Sequence, residues 1–138
     1  MIRPLYNEVH MTKKPCVLYI DDNAQNRLLV KRILEAEGYA VLEAEDGLAG
    51  LGLAADLLPD LILLDILLPG SDGYEVSKRL KEDARTRHIP VVAMTADVLQ
   101  GAREKALCAG FDGYIPKPID VDLLPGQIHG FLRGQEWE

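Results

Sequence analysis

A chain of 138 residues is long enough to bury a core of its own without disulfides or a structural metal, and it reads as one domain. A 48% hydrophobic and 27% charged composition describes a folded, soluble protein, while a net charge of −7 argues against direct nucleic-acid binding, which rests on Lys and Arg neutralising phosphates. The longest apolar stretch, around Leu57 to Leu68, is broken by Pro59, Asp60 and Asp65, well short of the roughly 20 residues a membrane helix needs, so no membrane insertion is expected.

Residues 1–14 lack the continuous apolar core of a secretory signal and read as a flexible leader, with either Met1 or Met11 as the start. The domain itself is expected over 15–132, followed by a short tail over 133–138. Within it, apolar runs alternate with amphipathic segments in a regular β-then-α rhythm, the pattern of a parallel sheet covered by helices on both faces.

Five such units follow in order. Strand 16–20 leads to a helix over 24–37, with Leu29, Val30, Ile33 and Leu34 at helical spacing and Gly38 as its stop. Strand 40–44 leads to a helix starting near Asp46, which Gly50 and Gly52 weaken by about 1 kcal/mol each relative to Ala. Strand 60–65 leads through the loop 67–71 into a helix containing Val76 and Leu80, capped by Asp72. Strand 90–95 leads to a helix carrying Val98, Ala102, Ala106 and Ala109, closed by Gly110. A short strand over 113–115 precedes the last helix, expected from Asp120 with Val121, Leu124, Ile128 and Leu132 on one face. Pro125-Gly126 predicts a kink or a late start there.

Cys16 and Cys108 have neither CxxC spacing nor a paired His, which points to two buried thiols in a reducing cytosol and a cytoplasmic protein. His10, His88 and His129 show no ligand or nucleophile–base spacing and read as surface residues.

The chemistry lies at the strand ends. The apolar run Leu61-Ile62-Leu63-Leu64 ends in Asp65, the first strand runs into Asp21-Asp22, the fourth into Thr95 and the fifth into Lys117. In a parallel sheet the carboxyl ends of neighbouring strands share one edge, where open α/β folds bind ligands. A carboxylate can attack phosphorus and form an acyl phosphate, the role assigned to Asp65. Three clustered aspartates repel one another, and a hard divalent cation with a preference for oxygen ligands, Mg²⁺, suits Asp21, Asp22 and Asp65. Mg²⁺, the Lys117 ammonium and the Thr95 hydroxyl would each then take one oxygen of the transferring group. Taken singly, Asp21-Asp22 and Thr95 also fit helix caps, and Lys117 a solvated loop lysine; it is their joint placement that argues for a site.

These motifs resemble those of the receiver domain of bacterial two-component response regulators across about residues 15–132. Asp21-Asp22 resembles the acidic pair, Asp65 with Leu68-Pro69-Gly70 and Asp72-Gly73 the phosphoacceptor loop, Thr95-Ala96 the switch hydroxyl, and Lys117-Pro118 the lysine and its cis-proline, with Tyr114 at the aromatic switch position. The resemblance implies a flavodoxin-like (βα)5 three-layer sandwich with a five-stranded parallel sheet of order 2-1-3-4-5. It further implies phosphoryl transfer, dependent on Mg²⁺ or Mn²⁺, from the phosphohistidine of a sensor histidine kinase or histidine phosphotransfer protein onto Asp65. The main-chain carbonyl of Leu67 is an implied further metal ligand. Thr95 and Tyr114 would then remodel the face made by the fourth helix, fifth strand and fifth helix, changing binding to a downstream protein target. Such a chain is a switch that catalyses its own phosphorylation and dephosphorylation rather than an enzyme with a released product.

Leu67 and Asp97, two residues beyond the acceptor and the threonine, flank the route of an attacking water; apolar Leu67 would hinder it and Asp97 would orient it. Pro125-Gly126 argues against dimerisation through a regular fifth helix, leaving a monomer or weak dimer. The chain fits a stand-alone regulator, a phosphorelay intermediate or the receiver of a hybrid kinase, and its stretch from Thr95 to Lys117 most resembles the hybrid-kinase and single-domain branches. A phosphorylation-independent docking module would show erosion of the acidic pair, Thr95 or Lys117, and none is eroded. An aspartyl phosphatase would carry an acid–base Asp where Leu67 stands. A flavodoxin would not place Asp21-Asp22-Asn23 in its phosphate-cradling loop.

Overall fold

The computed structural model describes residues 14–68, 70–96 and 101–136. Five strands form one parallel sheet: β1 Cys16–Ile20, β2 Ala40–Ala44, β3 Leu61–Asp65, β4 Val91–Thr95 and β5 Gly113–Pro116, in the order β2-β1-β3-β4-β5. Helices α1 Ala24–Ala36, α2 Gly47–Leu57, α3 Gly73–Glu82, α4 Ala102–Cys108 and α5 Leu124–Glu136 complete a flavodoxin-like (βα)5 sandwich. The central strands read as unbroken apolar runs because both of their faces are covered; every residue of β3 and of β4 is buried.

Alternate residues divide between two cores. Leu18, Ile20, Ile62 and Leu64 pack under Ala54 of α2, Val76 and Leu80 of α3 and Ala106 of α4. Val17, Tyr19, Leu61 and Leu63 face Val30 and Leu34 of α1 and Leu124, Ile128 and Leu132 of α5. The period of two along each strand thus sets which helices share a layer.

Asn23, Asp46 and Asp72 cap α1, α2 and α3 through side-chain oxygens that accept N–H groups of the first turn. Gly50, which looked like a weak point in α2, lies over Ile20, and a Cβ there would come within 2.4 Å of the Ile20 Cδ1. Close packing is what requires it, whereas Gly52 has open space beside it.

Several boundaries differ from the sequence reading. The last helix starts at Leu124 rather than at Asp120, the late start that Pro125-Gly126 predicts, because the Asp120 carboxylate accepts from the N–H groups of Asp122 and Leu123 and holds a preceding turn. Pro125 then falls in the first turn, where its missing N–H costs nothing, so the helix is not interrupted and runs on to Glu136, beyond the residue at which the tail was expected to begin. The fourth helix is only Ala102–Cys108, and Val98 lies outside the described residues. Within the expected loop 67–71, Leu67–Leu68 pair with Ser71 and the capping Asp72 as a two-rung antiparallel ladder. Cys108 is exposed and Cys16 half-buried, so the expectation of two buried thiols is corrected: α4 is short and turns this position outward. His88 and His129 are exposed as expected, and His10 lies outside the described residues. Among the described residues no helix is long and apolar enough to cross a membrane.

Candidate functional site

The carboxyl edge of the sheet gathers the strand-end residues. Asp21 follows β1 and is fully buried; Asp65 ends β3 at 5% exposure; Thr95 ends β4 at 1%. Asp22 is exposed at the rim. One carboxylate oxygen from each of Asp21, Asp22 and Asp65 lies within 4.8 Å of the others, an arrangement compatible with a bound metal ion.

Lys117 enters from the end of β5. Its Nζ donates to Asp21 Oδ2 at 2.8 Å and to Asp65 Oδ2 at 2.9 Å, bridging two strands. Its backbone N–H donates to the Thr95 carbonyl at 2.8 Å, and the Lys117–Pro118 peptide is cis. Thr95 and the lysine are thereby tied through main chain as well as by proximity. Tyr114, on β5 and half-buried, packs against the core shared by α2, α3 and α4.

The acceptor loop is shaped by its main chain. Leu67 donates its N–H to Asp65 Oδ1 at 3.0 Å, and the residue is 60% exposed. Gly73 donates to the Ile66 carbonyl, and a Cβ at Gly73 would meet the Ile66 Cα at 2.6 Å and the Asp65 carbonyl at 2.9 Å. Only a glycine lets α3 start this close to the strand it follows.

Electrostatics separate the two buried aspartates. Burial pushes the Asp65 carboxyl up, and the hydrogen bonds from Lys117 and Leu67 only partly offset this, so it lies above the usual carboxylate range. Burial acts the same way on Asp21, but the bonds from Lys117, Tyr19 and the Asn23 N–H outweigh it and hold that carboxyl below its usual value. For Lys117, burial favours the neutral amine, and the two carboxylates overcome it, raising its pKa. The site therefore holds a charged lysine between one firmly ionised carboxylate and one that ionises less readily.

The structure brings together Asp21, Asp22, Asp65, Thr95 and Lys117; Asp97 and Pro69 lie outside the described residues. Sequence reasoning missed the groups that pin Asp21: the Tyr19 hydroxyl and the Asn23 N–H on its carboxylate, and Arg27, whose Nη1 donates to the Asp21 carbonyl at 2.7 Å while its Nε pairs with Glu43 at 3.3 Å. A signal existed for the first, since residues two apart on a strand share a face, and Tyr19 stands two before Asp21.

A doubly covered parallel sheet with a metal-compatible acidic cluster and a lysine at its carboxyl edge defines a flavodoxin-like α/β protein with a polar active edge. The family model of the response regulator receiver domain matches residues 17–129. The polar-differentiation response regulator DivK of Brucella ovis is 43% identical over 122 residues, covering 88% of this chain and 98% of DivK. Among solved structures, a response regulator from Chloroflexus aurantiacus superposes with a TM-score of 0.82 at 30% identity, covering 88% of this chain and 99% of that one. The receiver domain of a sensor histidine kinase from Pseudomonas aeruginosa, solved with a magnesium ion coordinated in its active-site cleft, gives a TM-score of 0.77 at 29% identity over 91% of this chain and 100% of that one. The chain belongs to the response regulator receiver domain family of two-component systems.

Proposed function

We propose that this chain is a phosphoacceptor switch in which Asp65 receives a phosphoryl group from the phosphohistidine of a sensor histidine kinase or histidine phosphotransfer protein. An Asp65 oxygen attacks phosphorus, an acyl O–P bond forms, the P–N bond to the imidazole breaks, and the imidazole leaves and takes up a proton. The observation that carries this reading is the Lys117 bridge: a cation held within 3 Å of both Asp21 and Asp65, beside a cluster of three carboxylates.

The donor set is all carboxylate oxygen, which fits a hard divalent cation such as Mg²⁺ or Mn²⁺. Of the acidic set Asp21, Asp22 and Asp65, Asp22 and Asp65 would hold it together with the main-chain carbonyl of Leu67, while Asp21 would complete the set through its bond to Lys117; when bound, the cation supplies charge neutralisation for the transferring group. Lys117 neutralises one phosphoryl oxygen and the Thr95 hydroxyl donates to another. Leu67 shields the acyl phosphate from water, which prolongs the signal.

Once Asp65 carries the phosphoryl group, Thr95 is drawn toward it and Tyr114, on the next strand, turns inward. That changes the face formed by α4, β5 and α5, where a downstream protein target binds. The output is a change of partner. Similarity to DivK and to a kinase receiver domain supports this reading. The test is intact mass after incubation with acetyl phosphate, with and without Mg²⁺. One phosphate-sized increase that needs Mg²⁺ and vanishes in Asp65→Asn is expected; a folded wild type that takes no adduct would instead favour phosphorylation-independent docking.

A further inference from the structure

We infer that Tyr19 is a positioning residue of the phosphoryl-transfer site, acting through Asp21 to aim Lys117; this rests on the phosphoacceptor reading above. Tyr19 is fully buried on β1, on the sheet face covered by α1 and α5. Its hydroxyl donates to Asp21 Oδ2, the same oxygen that receives the Lys117 ammonium. The other oxygen, Oδ1, accepts the Asn23 N–H at 2.9 Å. The main chain of Asp21 is held too, its N–H by the Ala44 carbonyl at 3.0 Å and its carbonyl by Arg27.

An apolar ring would fill the space of Tyr19 without asking for a partner, whereas a buried hydroxyl must be satisfied or costs free energy. Here it is spent on an ionised carboxylate, where a hydrogen bond is at its strongest. Four donors on the Asp21 carboxylate, the fourth being Asn26 Nδ2 at 3.5 Å, leave it little capacity for a direct bond to a cation. Asp22 is exposed, and its carboxylate accepts no hydrogen bond among the described residues, so Asp22 and Asp65 are the carboxylates placed for direct coordination. Asp21 is instead a fixed anchor for Lys117, and Tyr19 fixes the anchor.

The experiment compares the full-length wild type, Tyr19→Phe, Asp21→Asn and the double variant. Tyr19→Phe keeps the ring and removes only the hydroxyl. At saturating Mg²⁺ it is expected to slow phosphorylation by acetyl phosphate about tenfold, the size of one hydrogen bond to a charged group, and to leave Mg²⁺ affinity by calorimetry unchanged. In the Asp21→Asn background the same substitution is expected to slow nothing further. An unchanged rate, an equal slowing in both backgrounds, or a tenfold loss of Mg²⁺ affinity would each overturn the proposal.

A second readout does not depend on phosphorylation: the ¹⁵N resonance of the Lys117 ammonium in metal-free protein, expected to shift in Tyr19→Phe. If the wild type takes no phosphoryl group while this resonance shifts, the phosphoacceptor reading falls and the clamp stands. If the wild type is phosphorylated and neither rate nor resonance responds to Tyr19→Phe, the clamp falls alone.

Discussion

The Lys117 ammonium sits 2.8 Å from Asp21 Oδ2 and 2.9 Å from Asp65 Oδ2, so one cation joins the ends of β1 and β3 from a loop beyond β5. All three side chains are largely shielded from water, at 13%, 0% and 7% exposure, which makes the bridge structural as well as chemical.

Removing the ammonium leaves two buried carboxylates facing each other. Lys117→Ala is expected to lose about 1–3 kcal/mol of stability in metal-free buffer, the range for an unmatched buried charge moderated by a partly open site. Millimolar Mg²⁺ should restore part of this by binding the folded state alone. Urea denaturation with and without Mg²⁺ checks both statements, and a variant as stable as wild type in chelator would contradict them.

Asp65 makes stability depend on pH in a definite direction. Its folded pKa lies above the unfolded value of about 3.9, so in the window between them the native state binds more protons and stability falls as pH rises. Asp65→Asn lacks this loss. Relative to wild type in metal-free buffer, its stability should therefore improve as pH rises from about 4 and level off above the raised value. Asp21, with a lowered pKa, contributes in the opposite sense, gaining stability as pH rises toward about 3.9, but it is common to both proteins. Denaturation series between pH 3.5 and 8 would show a gap that widens toward acid if the account were wrong.

Two glycines of similar appearance should respond oppositely. Gly73→Ala drives a Cβ into the Ile66 backbone and is expected to cost about 1–3 kcal/mol and to slow phosphorylation by displacing the acceptor loop. Gly52→Ala meets open space inside α2 and is expected to stabilise by about 0.5–1 kcal/mol with phosphorylation unchanged. Thermal melts together with phosphorylation rates distinguish the two.

Leu67, whose backbone N–H donates to the acceptor carboxylate, is exposed and carries an apolar side chain with no group able to orient water. Leu67→Asn, which supplies both a donor and an acceptor, is expected to shorten the lifetime of the phosphorylated protein about tenfold. Loss of the phosphate-bearing mass with time after removal of the phosphodonor measures it, and an unchanged lifetime would remove Leu67 from the account.

Much of this was legible in the sequence because a parallel sheet turns strand ends into neighbours. The runs ending in Asp21, Asp65 and Thr95, and the one leading to Lys117, could be placed at one edge from the β-then-α rhythm alone, without knowledge of any contact. What stayed hidden depends on geometry finer than the rhythm. Tyr19 read as one more core residue, since an aromatic in a buried strand is ordinary and only its pleat phase relative to Asp21 gives it a task. Arg27 reaches the Asp21 carbonyl from one turn into α1, a contact no spacing rule singles out. The late start of α5 was legible from Pro125-Gly126, but its cause was not: Asp120 caps a turn of its own, which places Pro125 where a helix accepts it.

The central claim is that Asp65, and no other carboxylate of the cluster, carries the phosphoryl group. Borohydride reduces an aspartyl phosphate to homoserine, so treating the phosphorylated protein with borohydride and sequencing its peptides by tandem mass spectrometry locates the acceptor directly. Homoserine at position 65, formed only when Mg²⁺ and phosphodonor were both present, is the expected result; homoserine at position 21 or 22, or at none of the three, would contradict the account.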